Sequence, residues 1–288
     1  MTTDGTYKPH GKSKEILDRA MGYIQAVPYR VTLRWLFYRL LQDGTYSSKQ
    51  DYEQLKSLTS RARKAFYDGW SPNTLADDGR EAFIKGFGHY DSGDWLRAIL
   101  RHGCNLDKWG SQPNYVELWF EAAAMRSQFE YYTRHVTLRP FKGDPSLDFK
   151  WEICQHLEAV HDTYPDKSIV ILYFGDLDPK GLQIPESAVS DVRSWAGVDF
   201  EYIRCGLNPG DEVRYNLHEN PEKPGTYQWE ALDDEQASRL LVSSVAQYID
   251  FDAMAAIESQ EDKITARFSA MVPELARQLM ADDLEVQP

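Results

Sequence analysis

The sequence predicts an α/β protein: an N-terminal helical unit, then a parallel sheet with helices between its strands, then C-terminal helices. Three observations carry this reading. Residues 12–67 show helical periodicity punctuated by turn residues. From Tyr115 onward, strand-like runs alternate with helical stretches, the pattern of a parallel sheet. The charge divides at about the same place. Residues 1–110 hold 17 Lys and Arg against 13 Asp and Glu, a net of +4, whereas residues 111–288 hold 15 against 32, a net of −17. The expected domains are therefore 1–110 and 111–288.

The first helix spans about 12–26 and ends near Val27-Pro28, because the residue before a proline avoids the helical region. The second spans about 30–42 and closes at Asp43-Gly44. Ser48 with Asp51 resembles a capping box for a third, about 49–67. Three short helices with brief turns suit a helix-turn-helix or winged-helix unit. The third helix carries Lys56, Arg61, Arg63 and Lys64, a basic edge suited to tracking phosphates and equally compatible with a solvated face. Residues 70–112 read as irregular, a wing or a linker. Strands follow at 115–121, 135–139, 168–174 and 199–204, with helices at about 122–133, 146–163 and 186–196. From Asp233 onward the chain reads as two or three helices.

Composition narrows the function classes. The hydrophobic share of 42% suits a packed core. No apolar run approaches the length of a membrane span, and the polar start lacks an export signal, so a cytoplasmic place is expected. Cys104, Cys154 and Cys205 lie far apart, which suggests neither a zinc site nor a disulfide framework. The net charge of −13 argues against a simple nucleic-acid binder, but the basic N-terminal part can face phosphates. An acidic lobe tolerates DNA where metal ions sit between carboxylate and phosphate.

The most informative run is Ser168 to Gly181. An apolar strand ends in Gly175-Asp176-Leu177-Asp178-Pro179-Lys180-Gly181. Two carboxylates spaced two apart at a strand end point the same way and suit a divalent cation. Glu121 ends another strand similarly, as a third ligand or a proton acceptor. The plainer reading is a tight turn, since Asp, Pro and Gly all favour turns. On the second helix, Leu33, Leu36, Phe37, Leu40 and Leu41 form an apolar stripe, and Tyr38 falls about 130° from its centre. Tyr38 is expected to point away from the core, with Arg34 one turn earlier as a cationic neighbour favouring the phenolate.

A strand-end Glu followed by a strand-end Asp-x-Asp resembles the Toprim domains of topoisomerases, bacterial-type primases and some nucleases. The string Tyr173 to Ile184 is similar to topoisomerase VI A subunits and their bacterial and phage relatives. Ala122 follows Glu121 where many relatives carry a basic residue or glycine. Gly143-Asp144-Pro145-Ser146 resembles the loop before the next helix of these proteins, and Asn216-Leu217, Lys223 and Glu230-Ala231-Leu232 resemble a downstream element without an assigned role. Arg34-x-x-Phe37-Tyr38, N-terminal to the Toprim-like part, resembles the catalytic signature of that family and of the related meiotic double-strand-break protein.

The resemblance implies a CAP-like winged-helix domain preceding a Toprim domain. It implies double-stranded DNA as substrate, Tyr38 forming a 5′-phosphotyrosyl link, Arg34 beside the phosphate, and Mg²⁺ held by Glu121, Asp176 and Asp178. It further implies a homodimer in which the tyrosine of one subunit works with the metal site of the other. A separate ATPase subunit is an optional partner, since the chain lacks a GxxxxGK[ST] loop of its own. Two rival readings use fewer of these residues: a Toprim nuclease that hydrolyses DNA with water, and a DNA-binding protein with a decayed site.

Overall fold

A computed structural model describes residues 7–76 and 92–285 of the chain. The first helices are α1 (Lys12–Gln25), α2 (Leu33–Gln42) and α3 (Lys49–Lys64). Thr32 starts α2 by accepting the Trp35 N–H, and Ser48 with Asp51 forms the expected capping box of α3. Ile16, Leu17, Leu36, Leu40, Leu55 and Leu58 meet in the core of these helices, closed by Trp70.

The chain continues through α4 (Ser92–His102), β1 (Asn114–Phe120), a 3-10 turn at Ala123–Met125, α5 (Arg126–Tyr132), β2 (Thr137–Pro140) and α6 (Leu147–Thr163). Next come β3 (Ser168–Phe174), α7 (Pro179–Trp195), β4 (Glu201–Gly206) and α8 (Asp211–Arg214). A second 3-10 turn, Trp229–Ala231, precedes α9 (Asp234–Val245) and α10 (Phe251–Glu285). The described strands form one four-stranded sheet in the order β2-β1-β3-β4, with every pair parallel. The α/β class read from the alternation of strands and helices is the class observed. The central strands β1 and β3 are buried on both faces and largely apolar, with Glu117 the buried charge on β1, as suits parallel strands covered by helices. No helix among the described residues is long and apolar enough to cross a membrane.

Two sequence expectations are corrected. Residues 70–112 are not irregular throughout: α4 buries Leu96 and Ala98 and ends in Arg101 and His102 before Gly103, whose φ is +70°. The remainder of the expected wing, 77–91, lies outside the described residues. The helix expected at 186–196 begins at Pro179, where Asp178 caps it and proline suits the first turn. Gly181 and Pro185 mask its first two turns in the sequence.

The chain divides into two compact units, Met1–Arg80 with Asn114–Tyr248, and Glu81–Pro113 with Ile249–Pro288. This division differs from the halves 1–110 and 111–288. In the first unit, α2 packs on residues 228–232 and joins the N-terminal helices to the sheet. In the second, α4 pairs with α10, and Lys108 Nζ meets Glu261 Oε1 at 2.5 Å.

Candidate active site

Parallel pairing places the carboxyl ends of β1 and β3 side by side, with Phe120 in register with Phe174. Glu121 and the Asp176-Leu177-Asp178 turn therefore leave the sheet together. The Glu121 amide donates to the Phe174 carbonyl at 3.0 Å, and the Asp176 amide donates to Glu121 Oε2 at 3.0 Å. Asp178 accepts the Gly181 amide at 2.7 Å. The run is thus a strand end entering a helix N-terminus, not a tight turn alone. Close approach is built into the glycines. A Cβ on Gly181 would stand 2.8 Å from Glu121 Oε2, and one on Gly175 would stand 2.8 Å from the Tyr173 ring. Arg204 on β4 clamps the turn, donating to the Gly181 and Asp176 carbonyls at 2.8 Å and to the Leu207 carbonyl at 2.9 Å.

Glu121, Asp176 and Asp178 line one cleft of about 430 Å³ at these strand ends, together with Arg34, Lys142, Gly143, Lys180, Lys223 and Gln228. Lys223 Nζ lies 4.0 Å from Asp178 Oδ2. Asp176 is buried, and burial pushes its carboxyl well above the usual range. The charges of Glu230 and Glu121 push it the same way, against the Trp229 amide and Arg34. Glu121 is also raised by burial, with Asp178 adding to the effect and the Asp176 amide, Arg204 and Arg34 opposing it. These are carboxylates short of positive charge.

Glu230 adds a fourth acidic group. It is 3% exposed, and neither carboxylate oxygen has a hydrogen-bond partner, while Arg34 Nε stands 3.3 Å from Oε1. Each of the three predicted ligands already spends one oxygen on a backbone amide. Among the described residues, no three His, Cys, Asp or Glu side chains are gathered as a ready-made metal cage. The donor set instead suits a hard cation that takes one or two carboxylates and completes its shell with water and phosphate oxygens.

Tyr38 lies beside this cleft, but not as the helical stripe predicted. It is 4% exposed, because residues 228–232 cover the face of α2 that the stripe left open. Its hydroxyl donates to Gln228 Oε1. Burial raises its proton affinity, Glu230 adds to this, and Arg34 opposes it without prevailing, so the expected bias toward phenolate is reversed here. Tyr38 lines a second cleft of about 310 Å³ with Arg34, Phe37, Tyr52, Glu53, Asn220, Pro221, Glu222 and Gln228. Arg34 and Gln228 belong to both clefts.

Of the basic edge on α3, Lys56, Arg61 and Lys64 are exposed, with Lys56 within 3.4 Å of Glu53. Arg63 is half-buried and lines a further cleft with Arg34 and Tyr52, its Nε lacking a hydrogen-bond partner. Sequence reasoning missed Gln228, Arg204, Tyr52, Lys142 and Lys180, and gave Glu230 and Lys223 no role. Only a family-like element at Asn216–Leu232 signalled that the last two belong to the site.

The fold and the cleft define an α/β protein with a mixed acidic and cationic site at the carboxyl ends of its parallel strands. No family model matches this chain, and comparison with curated proteins and with solved structures likewise returns no match.

Proposed function

We propose that this protein cuts double-stranded DNA by a type IIB topoisomerase-like reaction, on a winged-helix unit joined to a Toprim-like sheet. One observation carries the reading. Arg34 and Tyr38, more than 80 residues before the first carboxylate, line a cleft that shares Arg34 and Gln228 with the cleft of Glu121, Asp176 and Asp178. The two motifs lie far apart in the sequence, and their convergence supports a common substrate.

In this reading the Tyr38 phenolic oxygen attacks a backbone phosphorus. The new O–P bond forms as the bond to the 3′ oxygen breaks, giving a 5′-phosphotyrosyl link and a 3′ hydroxyl. The phenolic proton leaves, a proton reaches the departing oxygen, and no redox change occurs. Arg34 sits where it can face the phosphate charge, and Lys142, Lys180 and Lys223 line the cleft that would seat the backbone. Mg²⁺, when bound through Glu121, Asp176 and Asp178, neutralises phosphate charge and stabilises the leaving oxygen. The buried, hydrogen-bond-poor Glu230 carboxylate and the charge-starved Asp176 fit such a cation. Lys56, Arg61, Arg63 and Lys64 would follow the duplex. A homodimer would cut both strands, with a separate ATPase subunit as an optional partner.

A second reading has its own support. The Tyr38 hydroxyl is buried on Gln228 and held neutral, which suits a metal-dependent nuclease that uses water instead. Incubating wild type and Tyr38→Phe with supercoiled plasmid and Mg²⁺, then quenching with detergent before and after protease, separates the two. Protein-linked nicked or linear DNA from wild type alone supports the tyrosine reaction. Equal cutting without an adduct supports hydrolysis, and no cutting with retained DNA binding leaves a binding protein.

A further inference from the structure

We propose that Arg63, with Arg34 and Tyr52, seats a neighbouring phosphate of the DNA strand that Tyr38 attacks, and that Arg63 is the positioning residue of that seat. The proposal rests on the DNA-cutting reading and goes beyond it. It separates Arg63 from the basic edge of α3 and gives it a place next to the reaction.

The seat is a cleft of about 260 Å³, walled by α2 at Thr32 and Arg34, by α3 at Tyr52 and Arg63, and by Leu75 and Ala76. Among the described residues, two cationic side chains line it and no acidic one does. The clefts of Tyr38 and of the strand-end carboxylates, by contrast, include Glu53 and Asp176 respectively. An anion is therefore attracted here without carboxylate repulsion from the lining. Arg34 and Tyr52 also line the cleft of Tyr38, so a strand whose phosphate reaches Tyr38 passes them on the way to Arg63. Along α2, Thr32 and Tyr38 are about 9 Å apart, roughly the rise of two to three nucleotides in a duplex. Arg63 itself is short of partners: its Nε is shielded from solvent and has no hydrogen-bond partner. A phosphate oxygen would satisfy that donor, and the flat guanidinium fork suits two such oxygens at once. Lys56, Arg61 and Lys64 are exposed instead. The walls are held in place. Arg30 Nη2 donates to the Leu75 carbonyl at 2.9 Å, the Ala76 amide donates to the Val31 carbonyl at 2.9 Å, and the Tyr52 ring stands edge-on to Phe37 with centroids 5.2 Å apart. All of these residues belong to the N-terminal helices and the segment that follows them. The seat is therefore the same whichever chain supplies carboxylates to Tyr38.

The test compares wild type, Arg63→Gln and Arg63→Lys by fluorescence anisotropy on a labelled duplex, without Mg²⁺ and across a salt series. Arg63→Gln is expected to bind about 10-fold more weakly and to flatten the slope of log affinity against log salt by about 1, the mark of one phosphate contact fewer. Arg63→Lys keeps the charge and should restore the slope but only part of the affinity, since it lacks the fork. Detergent-quenched reactions with Mg²⁺ at saturating duplex then read positioning, and the protein–DNA adduct of Arg63→Gln should fall by at least about 10-fold. Affinity and slope of Arg63→Gln that match wild type overturn the proposal. So does an equal loss of affinity in both variants with an unchanged slope, which assigns Arg63 to packing. A full adduct yield at saturating duplex also overturns it, returning Arg63 to the outer edge of α3. If wild type itself forms no adduct, the tyrosine reading fails, and the anisotropy alone decides whether the phosphate seat exists.

Discussion

At the scale of single residues, the most fully satisfied charge in the sheet lies outside the candidate site. Glu117 on β1 is completely buried and accepts from Arg139 Nε at 2.6 Å and Trp119 Nε1 at 2.9 Å, with His156 Nε2 at 3.2 Å. Burial alone would raise its carboxyl, but His156, Arg139 and Trp119 outweigh burial and hold it below the usual range. A carboxyl with a depressed folded pKa stabilises the protein above its unfolded value and loses that contribution as pH falls through the folded one. Glu117→Gln is expected to cost about 3 kcal/mol at neutral pH, because Arg139 is left beside a neutral partner. The gap between wild type and variant in urea unfolding should shrink on acidification below about pH 4; a gap that stays constant would show that charge is not the cause. Gly181 sets a second limit at this scale. On the proposed chemistry, Gly181→Ala should reduce cleavage by about 100-fold by pushing on the Asp176 carbonyl, the nearest atom to the added Cβ, and on Glu121 Oε2, with an unchanged circular dichroism spectrum. Cleavage within about threefold of wild type would mean that the close approach of Gly181 to the Asp176 turn and Glu121 is not needed.

At the scale of elements, α2 carries the argument. A helix with one apolar stripe needs one partner surface, yet α2 buries Trp35, Leu36, Phe37, Tyr38, Arg39 and Leu40 in succession, which takes surfaces on both sides. One surface is the N-terminal core, and the other is the backbone of residues 228–232. Arg39 joins them, stacked 5.3 Å from the Trp35 ring centroid while its guanidinium serves two carbonyls. Arg39→Met should therefore lower the unfolding free energy by about 2–3 kcal/mol, since two buried carbonyls lose their donor. A loss under about 0.5 kcal/mol in denaturant unfolding would show that this clasp does not hold α2.

At the scale of the whole molecule, the charge asymmetry becomes a measurable property. A chain of net charge −13 should still bind duplex DNA through α3, with affinity falling steeply with salt. Replacing Lys56, Arg61 and Lys64 together by Gln should flatten the slope of log affinity against log salt by about 2 to 3, as fluorescence anisotropy would report. An unchanged slope would remove α3 from the DNA path. Much of this molecule was legible in the linear chain. The apolar runs of β1 and β3, the capping box of α3 and the strand-end carboxylates are local patterns, and adjacent parallel strands bring Glu121 and Asp176 together once the sheet forms. Other features depend on residues distant in sequence. Periodicity on α2 could not reveal that a segment 190 residues later covers Tyr38 and turns its hydroxyl onto Gln228. The burial of Glu117 among Arg139 and His156, and the grip of Arg204 on the Asp176 turn, likewise follow from strand order. The sequence by itself determined the first three helices, the apolar strands and which strand ends carry charge, because those depend on near neighbours, whereas α4 and the first turns of α7 were not legible there. Only the tertiary structure decided which charges are buried and partnered, because desolvation and hydrogen bonding depend on what packs against each side chain.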